Sequence, residues 1–406
     1  MAQLFENTRI KEMELKNRLV RSATHEAMSD KNGFPEKALF KLYERLAKGG
    51  VGLIITGFAF VARDGICHYK GTQGIDSEEH IPTYRELVKH VHENGAKIAM
   101  QIAHCGRQTT SEIIGTEPIA PSPVKEKTLF VMPREMTEED IERIIEAFAQ
   151  ASRRVKESGF DAVQIHGAHG YLINQFLCPH TNRRKDRWGG SIDNRIRIVF
   201  EIYNRCRKQV GDEFPILIKI NGYDTMKRGL GLEESTVMAQ LMCEMGFDGI
   251  EVSCGIKEDN FSTLRGDVPV EAILDDWDIY KRKNPIYRSF MRHFGRRIVN
   301  PPPFSEAYNL ESVKAIKANV DIPVFLVGGL INPRTMEEII ENGDADYISL
   351  SRALIADPNF PEKIRSGSRE PSRCIHCNLC LGYLTKRSLH CYHGKRINKK
   401  DNEAHL

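Results

Sequence analysis

Two imidazoles and a phenol crowd into the run Asp161-Ala-Val-Gln-Ile-His166-Gly-Ala-His169-Gly-Tyr171. The apolar, β-branched residues 161–165 predict a buried strand that stops just short of the polar cluster. Glycines between the polar residues let the chain turn tightly, so His166, His169 and Tyr171 can face one pocket. Two N–H donors can grip a single carbonyl oxygen and draw charge onto it, and a phenol beside them can supply a proton. An isolated His-x-x-His is equally compatible with hydrogen-bonded loop residues or half of a metal site. The rest of the chain has to decide.

A second cluster lies near the end. Cys374, Cys377, Cys380 and Cys391 put four of the ten cysteines within 18 residues. Such clustering is a metal-site signature, with zinc accommodated if His376, His390 or His393 completes the set, or else the residues are free thiols. The N-terminus shows neither a basic region nor an apolar core of a secretion signal, so a reducing, cytoplasmic setting is expected, with thiols or metal ligands in place of disulfides.

Groups of this kind need a rigid scaffold. Apolar runs at 18–22, 51–56, 97–103, 161–165, 215–220, 249–253, 323–327 and 347–350 alternate with helical patterns at 37–48, 84–94, 137–158, 194–210, 233–245, 310–317 and 334–341. Thr137 with Asp140 makes an N-cap signature, and Ile141, Ile144, Ile145, Phe148 and Val155 follow at helical spacing. Strands alternating with helices predict an α/β fold, a (β/α)8 TIM barrel over residues 1–360, with long loops at 105–136 and 254–309 and a C-terminal extension over 361–406. Barrel chemistry sits at the carboxyl ends of the strands. There the sequence offers Ser22-Ala23-Thr24-His25, Gly57, Gln101, Lys219, Gly328-Gly329 and Ser351-Arg352. Gln101 and Lys219 are odd residues for an apolar core and suit a flat polar heterocycle that develops negative charge. The glycine pair and the arginine, after strands seven and eight, suit an anion.

Composition narrows the partners. Of 406 residues, 41% are hydrophobic and 28% charged, the net charge is +3, and the sequence pI is near 8.2. These values suit a soluble globular protein with no dedicated nucleic-acid surface. The basic concentration Lys386, Arg387, Lys395, Arg396, Lys399 and Lys400 suits a solvated tail. The longest apolar stretch, 51–62, is too short to span a bilayer. A small-molecule partner is therefore expected, with no nucleic acid and no membrane, while homo-oligomerisation stays open.

The chain resembles the Old Yellow Enzyme family of FMN-dependent ene-reductases, the NADH:flavin oxidoreductases. The resemblance runs from Leu4 to about Phe360. It is carried by Leu15-Lys-Asn-Arg18, Gln101-Ile-Ala-His-Cys-Gly-Arg107, Ala120-Pro-Ser122, His166-Gly-Ala-His-Gly-Tyr171 and, most specifically, the block from Asn174 through Asn182, Arg184, Asp186, Gly189, Ser191, Asn194 and Arg195 to Arg197. It implies that Ser22, Ala23, Thr24 and His25 lie along the FMN ring with Gly57 beside them. Relatives more often carry proline at Ala23 and threonine or cysteine at His25. Gln101 is implied at the pyrimidine edge, and Lys219, where arginine is commoner, near N1. Gly328, Gly329 and Arg352 are implied at the phosphate, Ser351 replacing a frequent glycine. His166 and His169 are implied to bind the activating oxygen of an enone or enoyl substrate, with Tyr171 as proton donor and NAD(P)H as reductant. The cysteine cluster resembles the [4Fe–4S] motif of 2,4-dienoyl-CoA reductase relatives, with each of its last two gaps one residue shorter and no FAD domain following.

Two classes of function fit these residues. One is an FMN-dependent NAD(P)H ene-reductase, including a single-domain enzyme of the dienoyl-CoA reductase type. The other is a non-redox barrel that binds a phosphorylated ligand, such as a lyase using Lys219.

Overall fold

The computed structural model describes residues 3–256, 258 and 262–394; Lys395, Arg396, Lys399 and Lys400 of the basic tail lie outside the described residues. Its strands β1 (Leu19–Arg21), β2 (Leu53–Ile55), β3 (Lys97–Ala103), β4 (Ala162–Gly167), β5 (Ile216–Asn221), β6 (Gly249–Ser253), β7 (Val324–Val327) and β8 (Tyr347–Leu350) pair in parallel, each with the next, and β8 returns to β1. Pairing of β3 with β4 and of β8 with β1 closes the sheet into the expected eight-stranded barrel. The register sets Gln101 opposite Gln164, and Lys219 between His166 and Glu251. A polar layer is thereby built into the strands themselves.

The helices follow in alternation: α1 (Lys37–Lys48), α2 (His80–Glu93), α3 (Glu138–Glu157), α4 (Ile192–Val210), α5 (Leu232–Met245), α6 (Leu310–Lys317), α7 (Pro333–Glu341) and α8 (Arg352–Ala356). In α3 the Thr137 hydroxyl accepts from Asp140 N–H and the Asp140 carboxylate accepts from Thr137 N–H, completing a capping box. Its Ile141, Ile144, Ile145, Phe148 and Val155 are fully buried between helices and strands. Inside the barrel Val20, Leu53, Ile55, Ala99, Ala162, Leu217, Phe325 and Tyr347 fill one end. There Ile10, Met13 and Leu15 of an N-terminal hairpin plug it. Each Val, Leu, Ile, Phe or Met side chain among them stabilises the fold by roughly 1.5–3 kcal/mol.

One region differs from the sequence reading. The segment 254–309, expected as a loop, carries helices at Val270–Asp276, Asp278–Lys281 and Pro285–Val299. The last opens on Pro285, and the Asn284 side chain accepts from Tyr287 N–H, a start signal that the sequence displays. The C-terminal extension packs against the barrel. Leu384 and Leu389 join the outer core, Trp277 Nε1 donates to Gly382 O (3.0 Å), and Leu389 N–H donates to Glu26 O (2.8 Å). Among the described residues no helix is long and apolar enough to cross a membrane.

Candidate active site

At the carboxyl end of β4 the chain turns through His169, whose φ of 62° is left-handed, and Gly170 at 79°. Side chains lock this turn. His169 N–H donates to Asn221 Oδ1 (3.2 Å), Gln108 Nε2 donates to His169 O (2.8 Å), and Gly170 N–H donates to Asn174 Oδ1 (2.7 Å). The turn brings the His166 ring to 5.1 Å from His169 and 4.9 Å from Tyr171, both edge-on. His166 Nδ1 accepts from Ala168 N–H (3.3 Å), so the neutral ring carries its proton on Nε2. His169 Nε2 sits 2.7 Å from Ser253 Oγ. Burial, then the charge of nearby Lys219, holds His169 down to about 3; burial, His169 and Lys219 hold His166 well below the usual histidine range. Both are thus neutral donors near pH 7.

The cavity floor is a chain of polar contacts. Gln101 Nε2 donates to Gln164 Oε1 (2.7 Å), and Gln164 Nε2 donates to Glu251 Oε2 (3.0 Å). Lys219 Nζ lies 3.1 Å from the same Oε2 and donates to Ser22 Oγ (2.9 Å). Glu251 and Gln164 were missed in the sequence, although a glutamate inside the apolar run 249–253 is as odd as Lys219. Glu251 Oε1 and Ser349 Oγ are buried polar atoms without a protein partner among the described residues. Thr24 Oγ1 lies 2.9 Å from Ser351 Oγ, and His25 Nε2 lies 3.0 Å from Lys70 O.

At the other end of the cavity, Gly328 and Gly329 take φ of 138° and 73°, conformations that favour glycine. A Cβ on Gly328 would come within 2.7 Å of the Tyr308 ring. Arg352 Nη1 donates to Arg265 O and to Asn378 Oδ1, each at 2.7 Å. One cavity therefore takes in Ser22, Ala23, Thr24, His25, Gln101, His166, His169, Tyr171, Lys219, Gly328, Gly329, Ser351 and Arg352, with about 1320 Å³ of space when its open mouth is counted. Gly57 stands outside this wall. Its N–H donates to Glu26 Oε1 (2.8 Å), a carboxylate that also binds Arg21 and Tyr43 (both 2.7 Å). These residues fit FMN: an amide and a cation on the floor, the buried Ser349 hydroxyl without a protein partner among the described residues, and a glycine pair with an arginine at one end.

The extension reaches this cavity too, through His376, Leu381 and Leu384. His376 stacks on Phe304 with ring centres 3.4 Å apart. Cys374, Cys377, Cys380 and Cys391 gather around a separate small cavity beside Arg352 and Asn378. Their chemistry suits a thiophilic metal; among the described residues no three His, Cys, Asp or Glu side chains are already grouped as metal ligands. Burial pushes the Cys380 thiol up to about 12 and raises Cys374 as well.

The motif block most specific in the sequence turns out to be scaffold. Asn182 Nδ2 donates to Phe176 O (2.8 Å) and Trp188 O (2.7 Å), and Arg184 Nη1 donates to Pro121 O (3.1 Å) and Met136 O (2.8 Å). The block braces the turn that carries the histidines.

A closed parallel barrel with a deep polar cavity at its strand ends is the arrangement of a barrel enzyme. The sequence matches the NADH:flavin oxidoreductase / NADH oxidase family over residues 3–259 and 288–370, and the chain belongs to that family. It is 35% identical over 386 residues to the NADH oxidase of Thermoanaerobacter brockii, covering 93% of this chain and 53% of that protein. It is 37% identical over 361 residues to the NADPH dehydrogenase of Geobacillus sp. (strain WCH70), covering 88% and 92%. The chain thus spans about half the length of the first relative and nearly all of the second. In fold it is similar to an old yellow enzyme homologue from Zymomonas mobilis, with a TM-score of 0.71, 20% identity, and coverage of 93% of this chain and 96% of that one.

Proposed function

We propose that this protein is an FMN-dependent, NAD(P)H-driven ene-reductase acting on the activated C=C bond of α,β-unsaturated carbonyl compounds. The observation that carries the reading is the trio of His166, His169 and Tyr171 on the same cavity as Gln101, Lys219, Gly328-Gly329 and Arg352. Ser22, Ala23, Thr24, His25 and Ser351 would flank the ring, Gln101 and Lys219 its polar edge, and Gly328, Gly329 and Arg352 the phosphate. FMN, if held there, would supply hydride-transfer chemistry, with NAD(P)H as the reductant and the substrate β-carbon as the acceptor.

The protein's own groups do the rest. His166 donates from Nε2 to the substrate oxygen. His169 joins it as that oxygen takes the place of Ser253 Oγ, and the two stabilise the developing enolate. Tyr171 then protonates the α-carbon. Lys219 offsets charge that accumulates beside the ring; its engagement by Glu251 and Ser22 suits a fixed cation better than the free amine a lyase needs.

Anaerobic stopped-flow tests the reading. The purified protein should be yellow, or become so with FMN. NADH or NADPH should bleach it, and a panel of enones, enoyl-CoA thioesters and nitroalkenes should restore the colour at different rates. A protein that takes up no flavin, or that no member of the panel reoxidises, would defeat the proposal.

A further inference from the structure

The helix Pro285–Val299 is turned the wrong way for an element whose outer side meets only water. A surface helix ordinarily buries its apolar stripe and shows its charges to solvent. Here Ile286, Phe290, Phe294 and Ile298 recur at every fourth position and are 83%, 51%, 46% and 52% exposed. The side chains that reach the helix Val270–Asp276 and the turn before it are arginines. Arg288 Nη2 donates to Asp275 Oδ1 (2.7 Å), Arg292 Nε to Glu271 Oε2 (2.9 Å), and Arg296 Nη2 to Asp267 Oδ2 (2.9 Å).

Gly295 is the buried residue of this helix, and a Cβ there would come within 3.1 Å of Val270 Cγ1. The close approach and the three ion pairs together fix which side faces the body of the protein. The apolar row cannot roll inwards without breaking them.

The row is continuous, with the Phe290 and Phe294 ring centres 5.1 Å apart. Just before the helix, Lys283 Nζ lies 4.5 Å over the ring of Phe130, itself half exposed. With about half of each ring exposed, the two phenylalanines present roughly 100 Å² apiece. The four residues together reach the few hundred Å² at which an exposed patch marks a contact surface. A stable pair needs about 800 Å² from each copy, so the row supplies the apolar centre, and Phe130 with the polar flanks supplies the rim.

We propose that this row is where two copies of the chain pair. Residues four apart form a ridge, and two such ridges interdigitate at a crossing angle of about −50°. The same row on a second copy therefore fits it, closing the pair about a twofold axis. Lipid is the poorer occupant. A helix that lies on a membrane carries free cations beside its apolar face, whereas Arg288, Arg292 and Arg296 are each paired with a carboxylate. Lys281 and Arg297 stand at opposite ends of the row, where the crossing angle carries the two helices apart. The row lies outside the residues that line the proposed flavin cavity, so the pairing does not rest on the ene-reductase reading.

Sedimentation equilibrium of the FMN-loaded protein across micromolar concentrations should show a monomer–dimer equilibrium. Phe290→Ser and Phe294→Ser should each raise its dissociation constant about thirtyfold, as for central anchor residues. Phe200→Ser, which removes an exposed ring from α4, should leave it unchanged. Amide hydrogen exchange over 285–299 should slow as the parent is concentrated, and should not do so in Phe290→Ser. A parent that stays monomeric, a dimer that survives Phe290→Ser combined with Phe294→Ser, or an equal loss in Phe200→Ser overturns the assignment. Flotation of a monomeric parent with phosphatidylserine vesicles would overturn it too, making the face a membrane contact.

Discussion

The histidine–tyrosine cluster at the end of β4 and the cysteine cluster of the C-terminal extension are both dense groups of reactive side chains, but they are held differently. The first grows out of a strand whose register is fixed on both sides, and its turn is tied down by Asn221, Gln108 and Asn174. The second lies on a mostly irregular segment with several anchors, among them one polar hub. Asn378 accepts from Arg352 and donates to Leu264 O and Asp267 O, both at 2.9 Å. Strand register brings functional groups to convergence, whereas the hub sets only where the extension lies. The four cysteines share one small cavity beside that hub.

If that contrast is right, damage at the strand ends should be chemical and large. Replacing both His166 and His169 by alanine should slow the oxidative half-reaction severely, since losing one such donor costs about 2.7–4 kcal/mol, while reduction by nicotinamide persists. Parental reoxidation rates would dissolve the distinction between the two clusters. Next in size is Lys219→Met, which leaves Glu251 buried without its cation. Breaking a buried pair costs about 3–5 kcal/mol, read as a lower urea midpoint, and adding Glu251→Gln should recover most of it. If the double variant is no more stable than the single, Glu251 is not the aggrieved partner.

In the extension the hub should matter more than the thiols. Asn378→Ala removes a hydrogen bond to a charged group, about 1.5–3 kcal/mol, and frees Arg352; FMN should dissociate more readily while riboflavin binding stays the same. Cys374→Ser with Cys377→Ser should leave FMN retention unaltered. The reverse outcome would make the cysteines, and a metal between them, the true anchor.

The smallest effect is a slope. His169 binds its proton near 3 when folded, against about 6.5 in an unfolded chain. As pH falls from about 6.5 towards 3 the unfolded state takes up a proton that the folded state refuses, so stability is lost over that window. His169→Gln should reduce the dependence of stability on pH there by about one proton, as urea titrations at several pH values would show. An unchanged slope would mean that the ring is not held neutral.

What could be read in advance follows from the same contrast. The runs 97–103, 249–253 and 347–350 became strands with the same bounds, because alternation of buried runs and amphipathic helices is a local signal. Thr137 and Asp140 announced α3 for the same reason. The convergence of Gln101, Lys219 and the histidines was legible because barrel strands must end at one face. Glu251 and Gln164 were not read, since nothing beside them in sequence says that Lys219 and Gln101 will be their neighbours. Gly57 shows the limit of such reading, because a glycine at a strand end serves equally well to admit a ligand or, as its N–H does here, to meet the carboxylate of Glu26.

The left-handed backbone at His169 has an evolutionary consequence. Few residues with a side chain adopt that conformation readily, chiefly Asn, Asp and His, and the chemistry proposed there further demands an N–H donor. Asparagine is then the natural substitute and aspartate an acceptor of the wrong kind, while glycine keeps the turn and loses the function. The shape of the chain thus narrows the choice at position 169 before selection for the proposed chemistry begins.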